Sequence, residues 1–152
     1  IDAQLDPNLE KLGNCLGLTV LYNVLAQRFG LKVRAIHLED VFSRGPHVFS
    51  LLCCRQGAVD IENIFANGFD FQGHLDNPLR IEWGDIELIA DIYHSVGNNC
   101  FEQRRLEDAV QSYSKAIRLN PRYTKAYLNR ALALFMLGRN EEAMADFDHS
   151  DR

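Results

Sequence analysis

Cys15 stands where a helix should begin, in the stretch Gly13-Asn14-Cys15-Leu16-Gly17-Leu18. Gly13 interrupts what precedes it and Asn14 is a good N-cap. Leu18, Leu21, Leu25 and Phe29 then recur at spacings of three and four, as one buried helical face requires. At the first helical position, unsatisfied backbone N–H groups and the positive end of the helix dipole favour a thiolate over a thiol. An inert thiol packed near the helix start is the competing reading. A cysteine nucleophile also needs a base within hydrogen-bond reach and a third group to orient that base. Of the five histidines, His74 falls in an irregular connection, and His94 and His149 fall on helices whose surfaces are normally solvated. His37 and His47 lie on strands that follow the cysteine helix, and His47, directly after Gly45-Pro46 at a strand start, is the better placed base.

The elements that must position these groups follow in order. Gly30 fits the position that closes the cysteine helix, and residues 31–38 read as a strand. A turn at Ser43-Arg44-Gly45-Pro46 leads to a second strand over residues 47–54. Gln56-Gly57 supplies a tight turn, and residues 58–61 begin a third strand returning antiparallel to the second. The expectation is an α+β domain over residues 1–80, a helix packed on a small antiparallel sheet. From Glu62 to Trp83 the periodicity fades and Gly, Asn, Asp and Pro accumulate, as in an irregular surface connection or a linker. Phe65, Phe69 and Phe71 are too apolar for a disordered tether, so parts of this stretch should pack on the sheet.

Beyond Gly84 the pattern becomes helical and repeats. Ala109 and Ala143 lie 34 residues apart, as do Tyr113 and Phe147, and Tyr93 and Tyr127. A first unit over residues 90–123 carries Tyr93, Gly97, Ala109, Tyr113, Ala116 and Pro121. A second, from residue 124, carries Tyr127, Leu134, Gly138, Ala143 and Phe147, with Ala131 in place of the usual glycine. This pattern resembles the tetratricopeptide repeat, which implies an all-α domain over residues 86–152 with an incomplete second unit. Its small alanines let paired helices approach and its aromatics fill the gaps between pairs. Fewer than two units leave Leu134, Phe135 and Leu137 in need of cover, from the first domain or from repeats beyond residue 152. Asn98 and Asn129 project from the first helix of each unit, where repeats that grip peptide carboxylates carry asparagine. His94 replaces the lysine of that clamp, and a solvated helix face is the competing role for both asparagines.

The order of motifs in the first half also resembles the transglutaminase-like core of the papain-like cysteine superfamily. Gly-Asn-Cys opens an amphipathic helix, Phe-Gly-Leu-Lys-Val-Arg-Ala enters a strand, and His47-Val-Phe and Val59-Asp60 follow. The resemblance spans residues 8–71 and implies Cys15 as nucleophile, His47 as general base and Asp60 as its orienting partner. Phe49 stands where the family commonly has tryptophan, and Asp60-Ile61 where it has Asp-Pro. A simple hairpin turning at Gln56-Gly57 sets Asp60 opposite Leu51 or Leu52 and brings Glu62 or Asn63 nearer to His47; a bulge or longer turn is what would return Asp60 to the histidine. The core followed by repeats is also similar to one group of bacterial proteins in that family.

Composition narrows the function classes. With 47% hydrophobic residues the 152-residue chain can bury a core in one or two domains, and no apolar run approaches a membrane span. The net charge of −5 divides into −4 over residues 1–85 (7 basic, 11 acidic) and −1 over residues 86–152 (9 basic, 10 acidic), without the basic excess of a nucleic-acid binder. Cys15, Cys53, Cys54 and Cys100 contain no C-x-x-C pair, so neither a metal nor another cofactor is expected, and free thiols point to the cytoplasm. Two functions compete. One is acyl transfer through a thioester on Cys15, as peptidase, amidase or transamidase, with the oxyanion held by the Cys15 backbone N–H plus a second donor and with the repeats docking a protein or peptide. The other is an inactive core that serves as a scaffold for the repeats.

Overall fold

The computed structural model describes residues 15–39, 46–64 and 68–150. The chain divides into two units, residues 1–85 and 86–152. Gly13 and Asn14, residues 43–45 of the first turn, Phe65 and Asn67 lie outside the described residues.

The described residues of the first unit form α1 (Cys15–Arg28), β1 (Lys32–Leu38), β2 (His47–Cys54), β3 (Gly57–Ile61) and β4 (Ile81–Trp83). The four strands form one antiparallel sheet in the order β3-β2-β1-β4. Gly30 adopts φ +75°, and the Leu31 amide reaches back to the Ala26 carbonyl at 3.0 Å, closing α1 with the left-handed residue its sequence calls for. The β2–β3 loop is Arg55-Gln56, with Gly57 opposite Cys54. β4 is an edge strand from the stretch that reads as a connection, fastened to β1 by an Arg34–Glu82 ion pair of 2.7 Å and by Trp83 stacked on His37 with ring centroids 4.0 Å apart.

α1 does not bury its leucine stripe. Leu21, Leu25 and Phe29 are exposed, Phe29 by 82%, and the buried positions are Leu16, Thr19, Asn23 and Ala26. Hydrogen bonds decide the orientation. Thr19 Oγ1 donates to the Val48 carbonyl (3.1 Å), and Asn23 Nδ2 donates to the Arg34 carbonyl (3.1 Å). Asn63 Nδ2 spans Thr19 Oγ1 (3.0 Å) and Ser50 Oγ (2.8 Å). Such bonds stabilise by about 1 kcal/mol each, and breaking one strands a buried polar group at greater cost. On the opposite face of the sheet Ile36, Leu38, Phe49 and Leu51 form the apolar core.

The second unit comprises α2 (Asp85–Glu102), α3 (Leu106–Leu119), α4 (Thr124–Met136) and α5 (Asn140–Ser150). Its helices approach through alanines: Ala109, Ala116, Ala126, Ala131, Ala133 and Ala143 are all buried. Gly97 is required by Tyr113, whose Cε1 would lie 2.4 Å from an added Cβ. The turn after each unit's first helix repeats as well. Arg104 (φ +61°) and Gly138 (φ +77°) both adopt the left-handed conformation, and the following amides, of Arg105 and Arg139, reach back to Cys100 and Leu134 at 2.9 Å. Arg130 ties α4 to its neighbours, bidentate to Asp146 (2.7 and 2.6 Å) and donating to Ser114 Oγ (2.9 Å). Leu134 is covered within the unit by Ala131 and Ala143, whereas Phe135 stays 63% exposed.

Candidate functional site

The first residue of α1 and the first residue of β2 meet: the Cys15 thiol and the His47 ring are hydrogen-bonded. The other end of that ring is engaged by a carboxylate, with His47 Nε2 at 2.5 Å from Glu62 Oε2. Because Nε2 faces Glu62, Nδ1 is the ring atom left for the sulfur. Burial alone would raise the Cys15 pKa. The hydrogen bond from His47, backbone hydrogen bonds from Val48 and Leu16 and the positive charge of His47 outweigh it and hold the thiol below its ordinary 9.0. Burial alone would likewise lower His47, but the hydrogen bonds and charges of Cys15 and Glu62 lift it from 6.5 to about 9. Both shifts run toward the thiolate–imidazolium pair, the form in which a cysteine is a ready nucleophile.

Glu62, not Asp60, is the carboxylate on the His47 ring, and strand register is the reason. β2 and β3 pair with Leu51 opposite Asp60 and Ser50 opposite Ile61. His47 lies four residues before Leu51 on the same face of its strand, roughly 13 Å away at 3.3 Å per residue. Glu62, the next residue of β3's course on that face, is two residues closer and fully buried. No bulge returns Asp60 to the histidine. Its carboxylate is instead taken by Arg80, whose Nη1 and Nη2 donate to it at 2.6 and 2.8 Å. Asn63, the other alternative, is occupied by Thr19 and Ser50. His37 is buried in the stack with Trp83.

His74 is the residue that sequence reasoning set aside. The stretch after β3 folds back along it, with the Glu62 amide on the Gly68 carbonyl (2.8 Å) and the Phe71 amide on the Asp60 carbonyl (3.1 Å). This return lays Phe71, His74 and Arg80 over the sheet face that carries Phe49. The His74 ring stacks on Phe49 (5.3 Å), lies 5.1 Å from Phe71 and 5.7 Å from the His47 ring, and puts Nε2 3.7 Å from Glu62 Oε2. Burial pushes its pKa below 6.5, against the pull of Glu62. The density of apolar residues in that stretch was the one available signal; Phe71 packs as expected, while Phe69 stays exposed.

In the second unit Asn98 and Asn129 come together. Asn129 Nδ2 donates to Asn98 Oδ1 (2.9 Å) and lies 3.0 Å from His94 Nε2, and Tyr113 donates its hydroxyl proton to Asn98 Oδ1 (2.9 Å). On the other side of His94, Nδ1 is 3.2 Å from the Tyr123 hydroxyl, which bonds Asp91. A consistent wiring has His94 Nδ1–H donating to Tyr123, Tyr123 donating to Asp91, and Nε2 accepting from Asn129. Both asparagines line an open cleft of about 130 Å³ with Phe101, Glu102, Tyr113 and Leu132. They are part of a shared polar network, and not solvated singly.

This helical unit, with its 34-residue period and alanine-lined pairs, defines a tetratricopeptide repeat module, a class that offers a concave surface to protein segments. The chain carries a tetratricopeptide repeat: residues 97–138 match the TPR repeat family. It is similar to an uncharacterized protein of Methanocaldococcus jannaschii, with 43% identity over 58 residues, 38% of this chain and 67% of that protein. It is also similar to Hsp70-Hsp90 organizing protein 1 of Glycine max, 38% identical over 58 residues, which are 38% of this chain and 10% of that protein. DnaJ homolog subfamily C member 7 of Mus musculus is 35% identical over 75 residues, 49% of this chain and 15% of that protein. The chain thus spans only a small share of the length of these two larger relatives. Among the described residues no helix is long and apolar enough to cross a membrane.

Proposed function

We propose that the first unit is a cysteine-dependent acyl-transfer site joined to a protein-docking repeat. The observation that carries this reading is the Cys15–His47–Glu62 relay, a thiol at a helix start, a base bonded to it and a buried carboxylate on the far side of the base. In the reaction the Cys15 thiolate attacks an acyl carbonyl. As the tetrahedral adduct collapses, the bond to the leaving amine breaks, and the amine takes the His47 proton. Water or a second amine then attacks the thioester, His47 removes the proton of this nucleophile, and the thiolate leaves. Glu62 keeps the ring oriented and its charged form stabilised, the part the transglutaminase-like resemblance assigned to Asp60. Four unpaired thiols support work in a reducing compartment such as the cytoplasm.

The test uses p-nitrophenyl acetate as acyl donor and mass spectrometry of the quenched protein. One acetyl group on Cys15, absent from His47→Ala, is the expected result. Acetylation spread over Cys53 and Cys54, or none, would leave the scaffold reading in force. That second reading is favoured by the repeat match and by relatives named as Hsp70-Hsp90 organizing proteins. Under it, the Asn98–Asn129 cleft receives the carboxylate end of a peptide. Fluorescence anisotropy with peptides bearing free or amidated C-termini tests it, and equal binding of the two forms would rule out a carboxylate contact.

A further inference from the structure

Three nitrogen and oxygen donors converge beside the cysteine. His47, Glu62 and His74 each offer a ligand atom within 4.8 Å of the others, with Glu62 Oε2 2.5 Å from His47 Nε2 and 3.7 Å from His74 Nε2. All three side chains are largely withdrawn from solvent, with exposures of 12%, 0% and 7% in that order. The rings of Phe49 and Phe71 wall His74. Two imidazoles and one carboxylate form a donor set for zinc; calcium and magnesium prefer oxygen ligands alone. A zinc ion about 2.1 Å from each ligand in a tetrahedral arrangement needs donors about 3.4 Å apart. The His74–Glu62 separation already matches. The His47–Glu62 pair has only to open by about 1 Å, replacing the proton between them with the metal.

We infer that His47, Glu62 and His74 form a zinc-binding site that switches the Cys15 centre off. The coordination stands on the three side chains, while its effect on reactivity rests on the acyl-transfer reading above. A histidine bound to zinc through Nε2 keeps its Nδ1 proton, because it has no second proton to give up easily and its ring carries the charge of the metal. It then neither releases that proton to a leaving amine nor takes one from an incoming nucleophile. The open fourth position of the metal is filled by water, since Cys15 is outside the ligand set. Zinc therefore competes with the Glu62–His47 bond for the same ring atom, and its removal restores the relay.

Zinc alone is the probe. Competition against a chromogenic chelator, on the full chain after EDTA treatment, is expected to give one tight site per chain. X-ray absorption at the zinc edge should show two imidazoles and oxygen with no sulfur in the first shell. His74→Gln should weaken binding by at least about 100-fold, beyond the roughly 10- to 100-fold that loss of an outer-shell partner costs. Cys15→Ala should still bind one zinc per chain, because Cys15 is outside the ligand set. Sulfur scattering, which would place the metal on Cys53, Cys54 or Cys100, overturns the assignment, and so does wild-type affinity in a folded His74→Gln. The absorption spectrum of the wild type decides the ligands even if His74→Gln fails to fold. An unreactive Cys15 in EDTA, with zinc still bound on histidine, would defeat the acyl-transfer reading and leave the metal site standing.

Discussion

Replacing Glu62 by glutamine removes the charge that faces His47 Nε2 and keeps an oxygen of nearly the same shape at the same place. His47 is lifted to about 9 by Cys15 and Glu62 together, against burial. A hydrogen bond to a charged group contributes about 1.5–3 kcal/mol, against about 0.5–1.5 kcal/mol for a neutral one, and direct charge attraction at 2.5 Å adds to that difference. At about 1.4 kcal/mol per pKa unit, the loss corresponds to roughly one to two units, which brings His47 to about 7 or 8. The sign is downward because the lost group favoured the charged ring. Cys15 should move upward in turn, as the imidazolium beside it becomes less populated. The assay is an NMR titration of the histidine Cε1–H resonances in EDTA, with His47→Ala to assign the signal. Asp60→Asn is the control. It should leave the His47 titration in place and lower stability by roughly 3 kcal/mol, because it strands Arg80 beside a neutral amide. An unchanged His47 titration in Glu62→Gln, or an equal shift in Asp60→Asn, would refute the assignment of Glu62.

Other consequences are open to measurement. Gly97→Ala should cost about 1–3 kcal/mol in chemical denaturation, since the added methyl meets the buried Tyr113 ring; a neutral effect would show that the helices slide apart freely. Arg104→Gly should stabilise by up to about 1 kcal/mol, because Arg104 holds a left-handed conformation that Gly138 holds one period later; a lower melting temperature would contradict this. Turnover of an acyl substrate should be bell-shaped in pH. The acid limb should lie below the ordinary thiol pKa, and the alkaline limb near 9, where His47 loses its proton. A single limb near pH 8.5 to 9 would mean an unassisted thiol.

Much of this arrangement was legible in the residues, and the exceptions have physical causes. The β2 strand spans His47–Cys54, as the turns on either side of it predict, and a 34-residue spacing foretells the buried alanines where helices approach. The burial of α1 was misjudged because hydrophobic periodicity carries no information about hydrogen bonds across elements. Thr19 and Asn23 turn the helix so that Leu21, Leu25 and Phe29 face outward. The carboxylate turned on a two-residue question of register, and the simple hairpin turn already pointed past Asp60. β4 and His74 were hidden because three residues of strand and one histidine in an aperiodic stretch acquire meaning only when the chain folds back over Phe49.

The most direct test of the central claim is the rate at which iodoacetamide alkylates each cysteine at pH 6 in EDTA, followed by mass spectrometry. Cys54 is exposed and Cys15 only partly so, so access alone would favour Cys54. If His47 and the start of α1 hold Cys15 as a thiolate, Cys15 reacts first, by about three- to fourfold for each pKa unit of depression once the lower nucleophilicity of a more acidic thiolate is counted, and loses that lead in His47→Ala. Faster labelling of Cys54, or a Cys15 rate indifferent to His47, would contradict the account.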